Sequence, residues 1–288
     1  MLWCIIMTPY SSKQRLIETE YCTQHYLDYA VKNSNLGVCE LDDQGISKLA
    51  NTLAIRNASI LELNLVCNEI TSVGVRALVD NVEAVKTLTK LCLSGNPIGS
   101  EGATILADAL GRNAMQSVKR FDLRECSIGD DGMVALVSAL EQNTSLQILD
   151  LFDNEFGERG LVALAGSLPN IRGLQEIGFD ANANFQSTLP LLMEGFRKNT
   201  SLVKVNINLY RCEPGEWSQE LNFLGQRNRF TPLLKASDPP DAFPQLGIWS
   251  RALAKVATEP DVLFHVLRNK PKLVASAGGS KKRKRNEE

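Results

Sequence analysis

The chain has 288 residues, 44% hydrophobic, 22% charged and only 6% aromatic, a globular composition that excludes a disordered or collagen-like polypeptide. Its net charge of −2 hides an asymmetry: the last eight residues hold five of the 31 basic and two of the 33 acidic side chains, so residues 1–280 carry −5. An acidic body with a basic tip argues against a folded domain made chiefly to coat nucleic acid.

At the N-terminus, the apolar run Leu2–Met7 has no basic residue before it. It is too short for a signal core or a membrane span, so a soluble, non-secreted protein is expected. Residues 11–30, SSKQRLIETEYCTQHYLDYA, read as a capping helix that completes an N-terminal segment 1–30.

From residue 31 to 230 the sequence repeats. LELNLVCNEITSVGVRALV from Leu61, LTKLCLSGNPIGSEGATILADAL from Leu88, VKRFDLRECSIGDDGMVALVSAL from Val118 and LQILDLFDNEFGERGLVALAGSL from Leu146 share one skeleton. The Asn/Cys column runs Cys39, Asn68, Asn96, Cys126, Asn154, Asn182 and Tyr210, so seven units of about 28 residues are expected. In each unit the alternation seen at Leu63/Leu65, Leu91/Leu93, Phe121/Leu123, Leu149/Leu151, Ile177/Phe179 and Val205/Ile207 predicts a short strand with one buried face. The Asn follows where the chain turns inward, its amide able to satisfy loop backbone groups, and Cys fills the same slot as a small buried side chain. Asp42, Thr71, Ser100 and Asp130 stand where helix caps belong. A Gly column (Gly45, Gly74, Gly102, Gly132, Gly160) is read as letting each helix lie close to the strand layer. Leu78/Val82, Leu106/Leu110, Leu136/Leu140 and Leu164/Leu168 fall on one helical face.

A strand, a turn and a helix in about 28 residues cannot bury an apolar face alone, so neighbours must stack. The pattern resembles that of leucine-rich repeat proteins with long repeats, of the ribonuclease-inhibitor type. That resemblance implies an α/β solenoid, a horseshoe with parallel strands inside, helices outside and helical caps. It says far less about function.

After Phe230, TPLLKASDPPDAFP reads as a proline-broken connector. It leads to two helical stretches, LGIWSRALAKVA and EPDVLFHVLRNKPKLV, read as a C-terminal cap over 231–275, with a free-standing partner-binding helical hairpin as the alternative. Residues 276–288 read as a flexible basic tail, with Lys281, Lys282, Arg283, Lys284 and Arg285 as a nuclear-import signal for a transport receptor. A nuclear location is therefore expected, with the cytoplasm as the alternative.

Little here suggests chemistry. The seven cysteines include no C-x-x-C pair, so reduced, mostly buried thiols of an intracellular protein are expected. His25 and His265 stand alone, and no phosphate-binding loop, nucleophile elbow or metal-ligand spacing occurs. No enzyme activity, cofactor or metal is expected. Function falls instead to the concave strand face, about 30 Å long at 4.8 Å per strand, which suits a protein partner. Its centre carries Arg120, Asp122, Arg124, Asp150, Phe152, Glu176 and Asp180, which read either as a contact hot spot or as mutually neutralised charges.

The favoured reading is a monomeric, non-catalytic scaffold, adaptor or inhibitor, with neither membrane nor nucleic acid as partner. One alternative is a regulator of a small GTPase. The activator of the nuclear-transport GTPase is similar in repeat type, but its family has more repeats and an acidic tail, and none of its activating residues matches a motif here. The other alternative is a chromatin-associated protein acting through the basic tail.

Overall fold

The computed structural model describes residues 35–55, 60–81, 86–112, 114–181, 185–208 and 215–236. Helices α1 (Asp43–Ile55), α2 (Ser72–Asp80), α3 (Gly99–Gly111), α4 (Asp130–Gln142), α5 (Glu158–Ser167), α6 (Phe185–Lys198) and α7 (Glu216–Ala236) alternate with strands β1 (Glu62–Asn64), β2 (Lys90–Cys92), β3 (Arg120–Asp122), β4 (Ile148–Asp150), β5 (Glu176–Asp180) and β6 (Lys204–Asn208). The strands form one parallel sheet in chain order, β1 to β6. Homologous residues pair along it: Leu63, Leu91, Phe121, Leu149, Ile177 and Val205 form a single row. A bridge from Asn35 to Asn64 adds the trace of a strand from the first unit. Helices need about 8–10 Å between axes and strands only about 4.8 Å. The stack therefore bends with its strands inside, the expected curved solenoid.

The alternating strand residues build the core. From Leu63 to Phe179 each of them is at most 1% exposed, as are Leu78, Leu106, Leu110, Leu136, Leu140, Leu164 and Leu168 from the helices. The longer turn GRNAMQS contributes as well, because it tucks Met115 fully into the core.

Between layers the main bonding device is the asparagine amide. The Asn68 Oδ1 accepts from the N–H groups of Cys39 and Leu41, one layer back, while its Nδ2 donates to the carbonyls of Leu36 and Leu65. Asn96, wholly buried, accepts from Ile70 N–H and donates to Leu65 and Leu93. Asn154 accepts from Cys126 and Ile128 and donates to Leu123 and Leu151. Cys126 copies only half of this role: its thiol donates to the Leu93 carbonyl but offers no amide oxygen to the layer behind. There the Ile98 N–H turns back onto Asn96 O, and Gly99 takes a φ of +66° to make the bend.

The residue before the Asn/Cys column is left-handed in five successive layers: Val38, Cys67, Gly95, Glu125 and Asp153. Only one is glycine, and a left-handed non-glycine costs about 1–2 kcal/mol. The conformation aims the N–H at the next layer, as in Val38 N to Val66 O (2.8 Å), Cys67 N to Ser94 O (2.8 Å) and Glu125 N to Phe152 O (3.0 Å), and these bonds offset the cost.

Two expectations change. The helix glycines make room for the turn before the helix and for the neighbouring helix, not the strand layer: a Cβ on Gly132 would lie 2.8 Å from Ile128 Cγ2 and 2.9 Å from Ser100 Cα. Capping is likewise shared between layers. Thr71 and Asp42 do cap their own helices, accepting from Val73 and Gly45. Asp130 instead accepts from Gly157 and Gly160 N–H at the start of α5, and Ser100 Oγ from Gly129 N–H before α4. Asp43 does the same for Thr71 and Gly74. Each such residue opens one helix and caps the following one.

A second asparagine ladder, on the opposite edge, was not foreseen. Asn143 and Asn199 each accept two backbone N–H groups from the following turn (Ser145 and Leu146; Ser201 and Leu202) and donate one unit back, to Leu110 and to Leu168. In the alternate units, Met115 and Ile171 fill the slot with apolar bulk. The end of the repeat also shifts, since α7 runs to Ala236, beyond the connector expected from residue 231. Pro232 removes one helical donor, but the Leu-Leu-Lys-Ala that follows favours helix. The expected N-terminal helix, column positions Asn182 and Tyr210, both histidines, the two C-terminal helical stretches and the basic run 281–285 lie outside the described residues.

Asn96→Ala is expected to lower unfolding free energy by about 3 kcal/mol, the cost of several orphaned buried backbone groups. Urea denaturation checks this, and an unchanged midpoint would deny the amide its interlayer role.

Candidate functional site

The concave floor is set by strand register. Its first row reads Glu62, Lys90, Arg120, Ile148, Glu176 and Lys204, its second Asn64, Cys92, Asp122, Asp150, Gly178 and Asn206. A third brings Val66, Ser94, Arg124 and Phe152, just past their strands, into line with Asp180 and Asn208, the last residues of β5 and β6. All seven residues singled out from the sequence fall in these rows, on β3, β4 and β5 or immediately after them. The structure thus brings them together but does not give them equal access.

Asp122 is buried at 6% exposure and is no contact residue. Both its oxygens are held by Arg124, Nε to Oδ1 and Nη2 to Oδ2, each at 2.8 Å, and the Cys92 thiol lies 3.5 Å from Oδ2. Burial pushes the Asp122 carboxyl upward, but the Arg124 guanidinium outweighs it and holds the group below the usual carboxylate range. Arg124 also lies 3.6 Å from Asp150 Oδ2. The guanidinium is thus bound to its own floor.

Asp150 shifts the other way. Burial and then the adjacent Asp122 charge raise it, against the pull of the Phe152 N–H and of Arg124 and Arg120. Asp180 is raised chiefly by burial, against the pull of the Asp153 N–H on its Oδ2 and of the nearby Asn208 side chain. That bond marks an irregularity, because in earlier layers the equivalent N–H reaches a backbone carbonyl. At Glu176 burial is outweighed by Lys204 (2.6 Å) and Asn206 (2.8 Å), which hold its carboxyl low.

Arg120 and Phe152 remain. Arg120 is exposed, and its side chain makes no hydrogen bond or close ion pair among the described residues, though its charge acts on Asp150 and Glu176. Register explains why: its neighbours across the sheet are Lys90, a like charge already 3.3 Å from Glu62, and Ile148, which is apolar. Phe152 is half-buried, its ring lying across the backbone of β5, where a Cβ on Gly178 would meet it at 2.8 Å. One face of the ring packs on that glycine.

Thiol chemistry finds no support on this floor. Burial raises Cys92, and raises Cys126 to about 12, far from the thiolate a nucleophile needs. Cys67, Cys92 and Cys126 are free thiols, with Cys67 exposed in its left-handed position, so burial does not hold for all of them. Among the described residues no group of three or more His, Cys, Asp and Glu is placed to hold a metal ion, and no helix is long and apolar enough to cross a membrane.

Comparison with known proteins finds leucine-rich repeats. A leucine-rich repeat family model matches residues 56–79, 86–107, 114–137 and 142–165. Over 42% of its length the chain is 33% identical to NACHT, LRR and PYD domains-containing protein 14 of Mus musculus, covering 12% of that protein. Over 53% it is 29% identical to ribonuclease inhibitor of Sus scrofa, covering 40% of it. The chain therefore spans well under half the length of either relative. Among solved structures, actin-binding site 2 of leiomodin-1 superposes with a TM-score of 0.47 at 20% identity, covering 56% of this chain and 93% of that one.

The neighbouring aspartates should respond oppositely to pH. Asp122, depressed in the fold, contributes stability above the unfolded value near 4 and loses it as pH falls further. Asp150, raised in the fold, favours folding below about pH 4 and loses that contribution as pH rises through its folded value. Asp122→Asn should then destabilise at pH 7 by about 1.5–3 kcal/mol and less at pH 3, whereas Asp150→Asn should stabilise at pH 7 and lose that benefit at pH 3. Thermal melts at the two pH values check both signs.

Proposed function

We propose, on the premise that this chain is a leucine-rich repeat protein with long ribonuclease-inhibitor-like repeats, that it is a non-catalytic module gripping a protein partner on its concave face. Repeats of this kind serve protein–protein interaction or ligand binding. One observation carries the finer reading. Arg120 stands exposed mid-floor without an internal partner while its charged neighbours are already paired. Beside it Ile148 and Phe152 are half-buried. A cation that the fold leaves unpaired, next to apolar surface on a rigid sheet, has the makings of a binding hot spot. The contact set is Arg120, Phe152, Asp150, Glu176 and Asp180, with Arg124 as a fixed wall and Asp122 as its anchor.

The rigidity is itself an argument for recognition. Interstrand bonds fix the floor before any partner arrives, so little ordering entropy is spent on association. Neither GTPase regulation nor chromatin binding draws on a specific feature of the described face. Nuclear import through Lys281–Arg285 remains part of the proposal, on the strength of five consecutive basic residues.

Arg120→Glu and Phe152→Ala should each remove the same protein from a cross-linked, proximity-labelled partner set while circular dichroism stays unchanged. A partner set indifferent to both would move recognition off this floor. Faster GTP hydrolysis by a purified small GTPase would favour the regulatory alternative. Residues 276–288 fused to an inert reporter should carry it into the nucleus, and a reporter left in the cytoplasm would remove the import reading.

A further inference from the structure

Charge is distributed unevenly around the concave floor. Past the strands, the turn rim carries Glu40, Glu69, Glu125 and Glu155, all exposed. At the other end of the strands the sign reverses. Lys90 and Arg120 pair in register, so two cations face each other across β2 and β3, and Lys119 stands exposed immediately before Arg120. Like charges directly opposite one another destabilise a sheet. The acid in that row on β1, Glu62, lies 3.3 Å from Lys90 through side chains 61% and 42% exposed, and so open a pair holds Lys90 only weakly. On the other side of Arg120 stands Ile148, half-buried and apolar. Asp150 and Glu176 feel the Arg120 charge. Asp150 lies against Arg124, however, and Glu176 is bonded to Lys204 and Asn206.

We propose that this basic end of the floor takes an acidic segment of a protein partner, with one Asp or Glu carboxylate bridging Lys90 and Arg120 and an apolar side chain beside it on Ile148. The proposal rests on the reading that the concave face binds a protein, and it names what that protein must present. A carboxylate offers an oxygen to each cation and removes the repulsion that the register builds in. Arg120 and Ile148 are neighbours across the sheet, about 4.8 Å apart. Their two contacts on the partner are therefore two residues apart in an extended segment or three to four apart on a helix, the spacings that set side chains about 5–7 Å from each other on one face. A nucleic acid fits less well. Its phosphates need cations along their path, whereas the row turns apolar at Ile148 and the rim beyond carries four glutamates. A single carboxylate set among apolar residues meets neither obstacle.

Selection of a random-peptide display library on the immobilised full-length chain tests it. Enriched peptides should share an Asp or Glu two to four residues from an apolar side chain. Synthetic copies should bind about tenfold more weakly to the Arg120→Glu chain, and less weakly than that to Lys90→Gln. Arg120→Glu places an acid opposite Lys90, so its thermal midpoint should not fall. Changing the peptide's acid to lysine should invert the preference, favouring Arg120→Glu over the unmodified chain. Peptides without an acid, lost on Phe152→Ala but indifferent to Arg120→Glu, would overturn the proposal and keep the concave reading. Peptides indifferent to both changes would overturn the two together, and a library that yields no binder overturns the acidic-segment proposal alone. A fluorescent single-stranded oligonucleotide that displaces the peptides and is itself lost on Arg120→Glu would make nucleic acid the occupant and overturn it equally.

Discussion

A layer of this protein is too small to satisfy itself, and the structure depends on how that deficit is shared. Each unit has one three- to five-residue strand and one helix, with no apolar face of its own to fold against and an inward bend whose backbone groups would otherwise be orphaned. The buried asparagine answers both needs, since one amide ties the turn of its own layer to the turn behind it. Capping follows the same logic, with Asp43, Ser100 and Asp130 each serving the helix of the next unit. Cooperativity between layers is thus written in polar bonds as well as in leucine packing.

Replacing Asn with Cys shows what the amide supplies. Cysteine keeps the volume and one weak donor but loses the acceptor, and the loop behind Cys126 rearranges to find one within itself. In the layers that contain Cys39 and Cys126, the following residue, Glu40 or Ser127, is left-handed as well. The left-handed positions are thus tolerated because each converts backbone strain into a directed interlayer bond. That is why four of the five residues preceding the column need not be glycine.

Period made most of this legible. Strand, Asn/Cys and Gly columns recur in nearly every unit, so their coincidence identified layer, turn and close approach together. The second ladder was hidden because it recurs only in alternate units: Asn143 and Asn199 are 56 residues apart, although both open the same tetrapeptide, Asn-Thr-Ser-Leu. Reading that identity against Met115 and Ile171 would have revealed it. At the concave face, alternation placed every residue on the right surface but could not rank their access. Asp122 and Arg124, two apart, share a face, and whether they embrace each other or point outward is settled by distances of 2.8 Å that spacing does not encode. Gly178 gave a further unread clue, since a glycine within the floor makes room for the ring of Phe152.

The same register that builds the core also sorts the surface. Homologous positions line up across the sheet, so a charge in a row is readily neutralised where the adjacent repeat holds its opposite at that position. Glu62 with Lys90 and Glu176 with Lys204 meet that condition; Arg120, set between a lysine and an isoleucine, does not. In a structure whose repeats are under common geometric constraint, divergence at one position between neighbouring units is the means of leaving a charge unspent. At the centre of the floor the rows run from Lys90 and Cys92 through Arg120 and Asp122 to Ile148 and Asp150, so Arg120 meets no opposite charge along its own row. Uniform layers make the scaffold rigid, and the breaks in that uniformity give it something to recognise.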